Sequence, residues 1–317
     1  MIHNETKTLL ADFPYISLRA SLVCDKGGMM PKYKTSAIRG IIGRILRRHV
    51  CHDLNLACQE CEYSNACVYS WLFDSPRKMT DKLGIGGTVP HPYIIRCSDE
   101  RVHFVEGQTL TFEVVLLGHK AAALSAHLLY ALEEIERFTF GKEQLLFHLH
   151  DVRQVNYQED KVIFDGKHIT KPSPSYFTSR ERDYRIMLIR FQTPCRMMRK
   201  GAVLRQFSLP EFLWQLKQRV YQLYLLHHET EIEKDWLDAL PAISADTVEI
   251  KGENWEEVAR YSLRQQKKIW LGGIKATVEL KRSSELDAWL PLLQFGEVFH
   301  VGKATTFGLG QYELWFK

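Results

Sequence analysis

Between Tyr15 and Cys24 apolar residues fall at alternate positions, Ile16, Leu18, Ala20 and Leu22, and this predicts a β-strand that ends at Gly27-Gly28. The period then changes. From Lys34 to Arg48 the residues Ile38, Ile41, Ile42, Ile45 and Leu46 recur at helical spacing and predict an amphipathic helix with one apolar stripe. Gln108 to Leu117 reads as a strand, Ala121 to Phe138 as an alanine- and leucine-rich helix, and Gln144 to Val152 as a further strand. Either Tyr93 to Cys97 or Val102 to Val105 supplies one more, after a glycine- and proline-rich loop from Gly84 to Pro92.

A similar order then repeats. Thr170 to Arg180, with Pro172 and Pro174 among polar residues, reads as a linker, and Tyr184 to Phe191 as a strand running into Thr193-Pro194. Ser208-Leu-Pro-Glu211 predicts a capping box with proline in the first turn, opening a helix to about His227 with Phe212, Leu216, Val220, Leu223 and Tyr224 on its apolar face. An acidic connection leads to a long strand from Lys268 to Leu280, broken at Gly272-Gly273. A helix from Ser284 to Gln294 and a last strand from Gln311 to Phe316 follow. The pattern predicts an α+β protein of two ferredoxin-like domains. The first spans residues 1–178 with a Cys-rich insertion at about 51–75, and the second spans residues 179–317.

Composition narrows the class only modestly. Across 317 residues, 45% hydrophobic and 25% charged content describes a globular chain. No apolar run approaches a membrane span, and the first residues lack the pattern of a signal peptide, so a cytoplasmic protein without membrane partners is expected. A net charge of +4 is too small to identify a nucleic-acid binder by itself. Its distribution says more: Pro31 to Val50 holds Lys32, Lys34, Arg39, Arg44, Arg47 and Arg48 and no acidic residue. Arg39, Arg44 and Arg47 lie away from the apolar stripe with Gly40 and Gly43 between them. Each glycine costs an exposed helix roughly 1 kcal/mol relative to alanine, which suggests that something packs closely there. An RNA backbone fits, and a solvated basic face is the alternative.

Four of the seven cysteines, Cys51, Cys58, Cys61 and Cys67, lie within 17 residues. In a reducing compartment such clustering favours metal over disulfide, and the Cys58/Cys61 spacing lets two thiolates share one tetrahedral ion. Structural zinc is the expectation, with an iron–sulfur cluster or unmetallated thiols as alternatives and His52 as a possible replacement for Cys51. A metal would tie down an insertion too poor in apolar residues to fold alone.

The stretch from His300 to Phe316 combines Gly302, Gly308 and Gly310, which permit positive φ and close approach, with the donors Lys303, Thr305 and Thr306. The strand that follows rules out Walker A and Rossmann loops, both of which open a helix. A phosphate-holding loop and a glycine-containing bend before a terminal strand both fit the spacing.

Written hydrophobic-Gly-Lys-x-x-x-Phe-Gly-x-Gly-x-Tyr, the segment Val301 to Tyr312 resembles the C-terminal glycine-rich loop of the RAMP superfamily of CRISPR-associated proteins, in particular the pre-crRNA processing endoribonucleases. Arg39-Gly40-x-x-Gly43 is similar to the first helix of many of them, and the Cys-rich insertion followed by Tyr69 and Phe73 is similar to one subfamily. Phe191-x-Thr193-Pro194 and Trp270-x-Gly272-Gly273 extend the resemblance along the chain. It implies tandem ferredoxin-like, RRM-like domains that bind CRISPR repeat RNA and cleave within the repeat to release guide crRNAs. It also implies metal-independent chemistry, in which a ribose 2′-hydroxyl attacks the adjacent phosphate to leave a 2′,3′-cyclic phosphate and a 5′-hydroxyl, with no cofactor for catalysis.

Family members often carry a catalytic histidine in or just after the first helix, which points to His49 and His52, with Tyr33 as a nearby phenol. His49 falls on the apolar stripe if the helix reaches it, so a core histidine is the competing role. RNA contacts are expected from Lys34, Arg39, Arg44, Arg47, His300, Gly302, Lys303, Thr305, Thr306, Gly308 and Gly310. Two further classes remain: a non-catalytic crRNA-binding subunit of a CRISPR effector complex, and a metal-knotted RNA-binding protein outside CRISPR. Partners are repeat RNA or crRNA and, in the first of these, other effector subunits.

Overall fold

Ile16, Leu18, Ala20, Leu22 and Cys24, the alternate residues of strand β1 (Pro14–Lys26), are all buried in one apolar core. The computed structural model describes residues 2–75, 79, 81–82, 89–228, 230, 232, 234–262 and 267–317, so most of the expected Gly84–Pro92 loop lies outside the described residues. Helix α2 (Thr35–Val50), which follows α1 (Ile2–Leu10), contributes its stripe of Ile38, Ile41, Ile42, Ile45 and Leu46 to the same core. Strands β2 (Tyr93–Arg96), β3 (Thr109–Leu117), β4 (Leu146–Val155) and β5 (Asp160–Phe164) complete the sheet in the order β2-β3-β1-β4-β5, antiparallel throughout. Tyr93–Arg96 is therefore the strand that the pattern left undecided; His103–Phe104 pairs instead with Gly28–Met29. The expected Ala121–Phe138 helix is two helices, α3 (Gly118–Ala123) and α4 (Ser125–Glu133), with a 3₁₀ turn over Glu134–Arg137.

The second sheet has the order β7-β8-β6-β9, from β6 (Ile186–Phe191), β7 (Val248–Ser262), β8 (Lys267–Lys281) and β9 (Tyr312–Phe316). Helices α5 (Leu209–Leu223) and α6 (Ser284–Phe299) take the two helical places. Each unit thus has the ferredoxin-like strand order. Strand β8 runs unbroken through Gly272-Gly273. A Cβ on Gly272 would meet the Trp255 ring at 2.2 Å and one on Gly273 the Cys195 backbone at 2.8 Å, so both glycines permit close approach. The segment that reads as an acidic connection contains β7, an edge strand that pairs with β8 from Val248↔Leu280 to Ser262↔Lys267. Ser208 stands at the N-cap of α5 but makes no side-chain cap bond, and the Glu211 side chain pairs with Arg199.

The units are Pro14–Ser175 and Met1–Phe13 together with Tyr176–Lys317. The boundary falls inside the expected linker, whereas the first thirteen residues cluster with the second unit rather than with the strand they precede. Phe13 explains this: it is fully buried among Tyr224, Phe295 and Phe299, with ring centroids 5.2, 5.3 and 5.2 Å away. Tyr224 adds a hydrogen bond from its hydroxyl to the Leu9 carbonyl at 2.8 Å.

The glycine loop closes on the body of the second unit. Gly310 has φ +74° and lies against Val301, whose carbonyl oxygen a Cβ would meet at 1.8 Å. Neither the dihedral nor the space admits a side chain. Gly310→Ala is therefore expected to lower unfolding stability by about 1–3 kcal/mol, read as a fall in the urea midpoint at unchanged slope. An unchanged midpoint would show that the loop does not depend on this contact.

Candidate functional site

Three rows of α2 matter, because residues four apart share a face. The stripe is buried as described. Arg39, Gly43 and Arg47 make the second row, and a segment of the same chain covers it. The Phe73 ring lies 3.0 Å from where a Gly43 Cβ would be and 5.4 Å from the Arg39 guanidinium. Arg47 donates to the carbonyls of Leu54 and Leu56 at 3.0 and 3.1 Å and lies over Tyr69. The close packing inferred from the glycines thus exists at Gly43, but its partner is an aromatic ring from the Cys-rich insertion. Arg39 and Arg47 hold that insertion rather than facing a free surface.

The third row is open. A Cβ on Gly40 would meet nothing within 4 Å, and Arg44 and Arg48 are exposed, lying 6.0 and 5.3 Å from the Phe138 ring centroid. Arg48 belongs with Arg44 on this face, although the sequence-based assignment left it out. The signal was there: Gly40, Arg44 and Arg48 are spaced by four.

Lys34 caps the start of α2 and is 1% exposed. Its ammonium donates to the Asp99 carbonyl at 2.6 Å and stands 3.8 Å from the Asp99 carboxylate. Burial pushes its pKa down, and Asp99 pulls it partly back. This lysine ties the helix start to a neighbouring loop, and the RNA contact expected of it does not have an exposed ammonium to work with. Tyr33 is half-buried beside it, with Lys32 over its ring at 5.4 Å.

His49 lies in the last turn of α2 and is exposed. The helix does reach it, but the ring is outside the buried stripe, so the core role is ruled out. It stacks on Tyr130 of α4 with centroids 4.0 Å apart and planes at 30°, and the His127 ring is 6.4 Å away at 61°. His127 is half-buried, and its Nδ1 has no hydrogen-bond partner among the described residues. Tyr130 and His127 occupy successive turns of α4, and neither was singled out from the sequence. Tyr33 stands just before the other end of α2, roughly 24 Å from His49 at 1.5 Å per residue, so these two cannot serve one phosphate. His52 is exposed and sits edge-on to Tyr63 at 5.2 Å, in a cavity of about 550 Å³ that Cys51, Cys58, Cys61 and Cys67 also line.

In the second unit the terminal loop is folded around Thr193 and Pro194. Thr193 Oγ1 donates to the Gly308 carbonyl at 2.7 Å and accepts from the Gln311 amide, while the Gly310 amide donates to Pro194 and the Lys303 amide to Arg196. His300 is 0% exposed, with Nδ1 3.1 Å from the Leu309 carbonyl oxygen. Thr305 and Thr306 are buried, and Gly302, Gly308 and Gly310 all have positive φ. Of the loop residues expected at RNA, His300, Thr305, Thr306 and the glycines thus build the loop itself. Lys303 is different. It is half-buried, and burial together with the nearby Arg219 cation pushes its pKa down. Arg219 of α5 is buried, donates to the Phe299 carbonyl at 3.1 Å, and has its pKa lowered to about 10 by burial. Among the described residues neither cation pairs with a carboxylate. Two cations held together without an acid make an environment that favours an anion.

Strand order defines a protein of two ferredoxin-like units, and the open basic row and the acid-free cations give it candidate surfaces for an anion. Residues 13–175 match the family model AF_1859_N, N-terminal domain, and residues 189–312 match the CRISPR-associated endoribonuclease Cas6. The second unit thus carries a match to the Cas6 endoribonuclease family over residues 189–312. No curated protein matches the chain. Among solved structures it is similar to a partial Cas6-RT-Cas1–Cas2 complex (TM-score 0.54, 15% identity, 97% of this chain and 47% of that one). It is also similar to Thermus thermophilus Cas6 (0.53, 13%, 96% and 100%) and to a Cas6 product complex (0.52, 16%, 95% and 99%). The chain spans about half of the first of these and nearly all of the others, and at such identities the likeness shows the fold. Among the described residues no helix is long and apolar enough to cross a membrane.

Lys34→Ala separates structural from binding cations. It removes a buried donor to the Asp99 carbonyl and is expected to cost about 1–3 kcal/mol of stability, measured by urea unfolding, with RNA affinity of the folded protein unchanged within threefold. A tenfold loss of affinity at unaltered stability would return Lys34 to the RNA surface.

Proposed function

We propose that the chain binds CRISPR repeat RNA and cleaves it without a metal, by attack of a ribose 2′-hydroxyl on the adjacent phosphate. The bond from the phosphorus to the 5′-oxygen breaks as the 2′-oxygen bond forms, leaving a 2′,3′-cyclic phosphate and a 5′-hydroxyl. The observation that carries this reading is His49: an exposed imidazole at the end of α2, held by Tyr130, close to a second imidazole and next to the open row of Arg44 and Arg48.

The reaction needs a base for the 2′-hydroxyl proton, an acid for the departing 5′-oxygen and positive charge against the phosphorane. Ring centroids 6.4 Å apart put His49 and His127 close enough for both imidazoles to reach one phosphate from the same side. Stacking on Tyr130 restricts the His49 ring to one plane, which reduces the orientational cost of proton transfer. Arg48, one residue before His49, and Arg44, one turn earlier, supply charge that no carboxylate on that helix neutralises. In the second unit, Lys303 beside Arg219 offers a separate hold on the RNA backbone. Guide RNA released in this way passes to other CRISPR subunits, the class of partner this function requires.

Repeat RNA incubated with the protein in EDTA should yield a cyclic phosphate end, and a 2′-deoxy substitution at the cut should abolish cleavage. Binding without cleavage would assign the chain to the crRNA-holding subunits instead. His49→Ala is expected to lower the single-turnover rate by at least about 100-fold, and His127→Ala by about 10- to 100-fold, in the range of general acid–base catalysis. Affinity should stay within threefold, and imidazole should restore part of the His49→Ala rate. An active His49→Ala protein would move the chemistry elsewhere.

For the basic row, Arg44→Ala and Arg48→Ala should each weaken binding across RNA sequences and flatten the salt dependence by roughly one charge, while Arg39→Ala should do so less. Equal effects from all three would show that the insertion does not cover the Arg39 row in solution.

A further inference from the structure

Residues 51–67 form a stretch that apolar burial does not hold in place. Ser64 is the one buried residue in it, and Leu54 and Tyr63 point to solvent. Even so, the stretch has a defined path, and its four cysteines are each half-buried, unoxidised and arranged around one cavity of about 550 Å³.

The sulfurs come from three different local structures. Cys51 is the residue at which α2 ends, its amide donating to the Arg47 carbonyl at 3.0 Å. Cys58 and Cys61 bracket a tight turn closed by the Cys61 amide on the Cys58 carbonyl at 3.3 Å, and the Ser64 amide then donates to Cys61. Cys67 opens the next helical turn, its amide on the Tyr63 carbonyl at 2.9 Å and its own carbonyl accepting from Trp71. A helix end, a two-cysteine turn and a helix start facing one space is an arrangement that a tetrahedral ion can bridge.

We propose that Cys51, Cys58, Cys61 and Cys67 bind one structural zinc ion as a tetrathiolate. Among the described residues no three candidate ligands stand at ligating distance, and the Cys51 thiol donates to the Asp53 carbonyl at 3.0 Å. Binding therefore turns the thiols inward across the cavity and releases that bond. Four thiolates and a divalent ion carry a net charge of −2, and Arg47, bonded to the Leu54 and Leu56 carbonyls of the same loop, supplies a neighbouring positive charge. The ion replaces the missing apolar core of the insertion. Through Phe73 on Gly43 and Tyr69 under Arg47, it steadies the helix on which His49 sits.

The proposal does not depend on RNA cleavage, and its test uses metal content. Full-length protein purified without chelator should contain about one zinc per chain by elemental analysis. Replacement by cobalt(II) should give the intense visible bands and the ultraviolet thiolate-to-cobalt charge transfer of a tetrahedral thiolate site. Cys58→Ser with Cys61→Ser should lose the metal, whereas Cys97→Ser, outside the cluster, should keep it. Should the double variant fail to fold, thiol titration of the native wild-type chain decides: four additional thiols should react once a chelator has removed the ion. Zinc-replete protein without bound metal or a tetrahedral cobalt spectrum, a brown iron–sulfur chromophore, or metal retained by the double variant would each overturn the assignment.

Discussion

A side chain is missing at Gly43, and the use made of α2 follows from that. The Phe73 ring fills the space a Cβ would take, at 3.0 Å, and even a methyl group there would push the ring away. Tyr69 stacks on Phe73 with planes 6° apart, Phe73 lies 5.0 Å from the buried Tyr93, and Arg39 and Arg47 sit over this column of rings. Burial pushes the Tyr93 phenol up to about 12, with Arg39 acting the other way. Each cation over a ring contributes on the order of 0.5–2 kcal/mol, so one row of arginines is spent on attaching the insertion. Only with that row occupied do Arg44, Arg48 and His49 become the face presented outward. A helix that looks uniformly basic therefore has two basic rows of different kinds.

The elements that were legible in the sequence are those whose burial repeats with a period. The alternation in β1 and the isoleucine stripe of α2 survive intact, because one face of each meets a continuous core. Strand β7 was not legible. Glu249, Lys251, Glu253, Glu256 and Glu257 give it the composition of a connection, yet an edge strand is where charges are tolerated and where they discourage pairing with other chains. Helix α1 and Phe13 were missed because their partners lie more than 200 residues away, at Tyr224 and Phe295.

Individual site residues were harder still, since their roles are set by neighbours distant in sequence. Lys34 looks like one more cation of a basic run until Asp99, 65 residues on, is brought against it. His127 and Tyr130 acquire significance only when α4 packs beside the end of α2. In the glycine loop, positive φ could be anticipated from the glycines, but not whether the space beside them would hold a ligand or the chain itself. The segment Thr193 to Arg196 fills it, and what the loop leaves for an anion is the cation pair of Lys303 and Arg219 rather than a row of free amides.

Phe13 also bears on the order in which the chain can reach its native state. The residues it packs against lie 200 to 300 positions further along, so during synthesis the segment that carries Phe13 waits while the whole Pro14–Ser175 unit emerges and becomes competent to fold. The first unit is contiguous and can form on the ribosome; the second closes only when α6 has been made, joining residues nearly 300 positions apart. Such a long-range closure slows folding and leaves the segment exposed to proteases and chaperones in the interval. Cutting the gene between units at residue 178 alone would leave this segment on the wrong fragment.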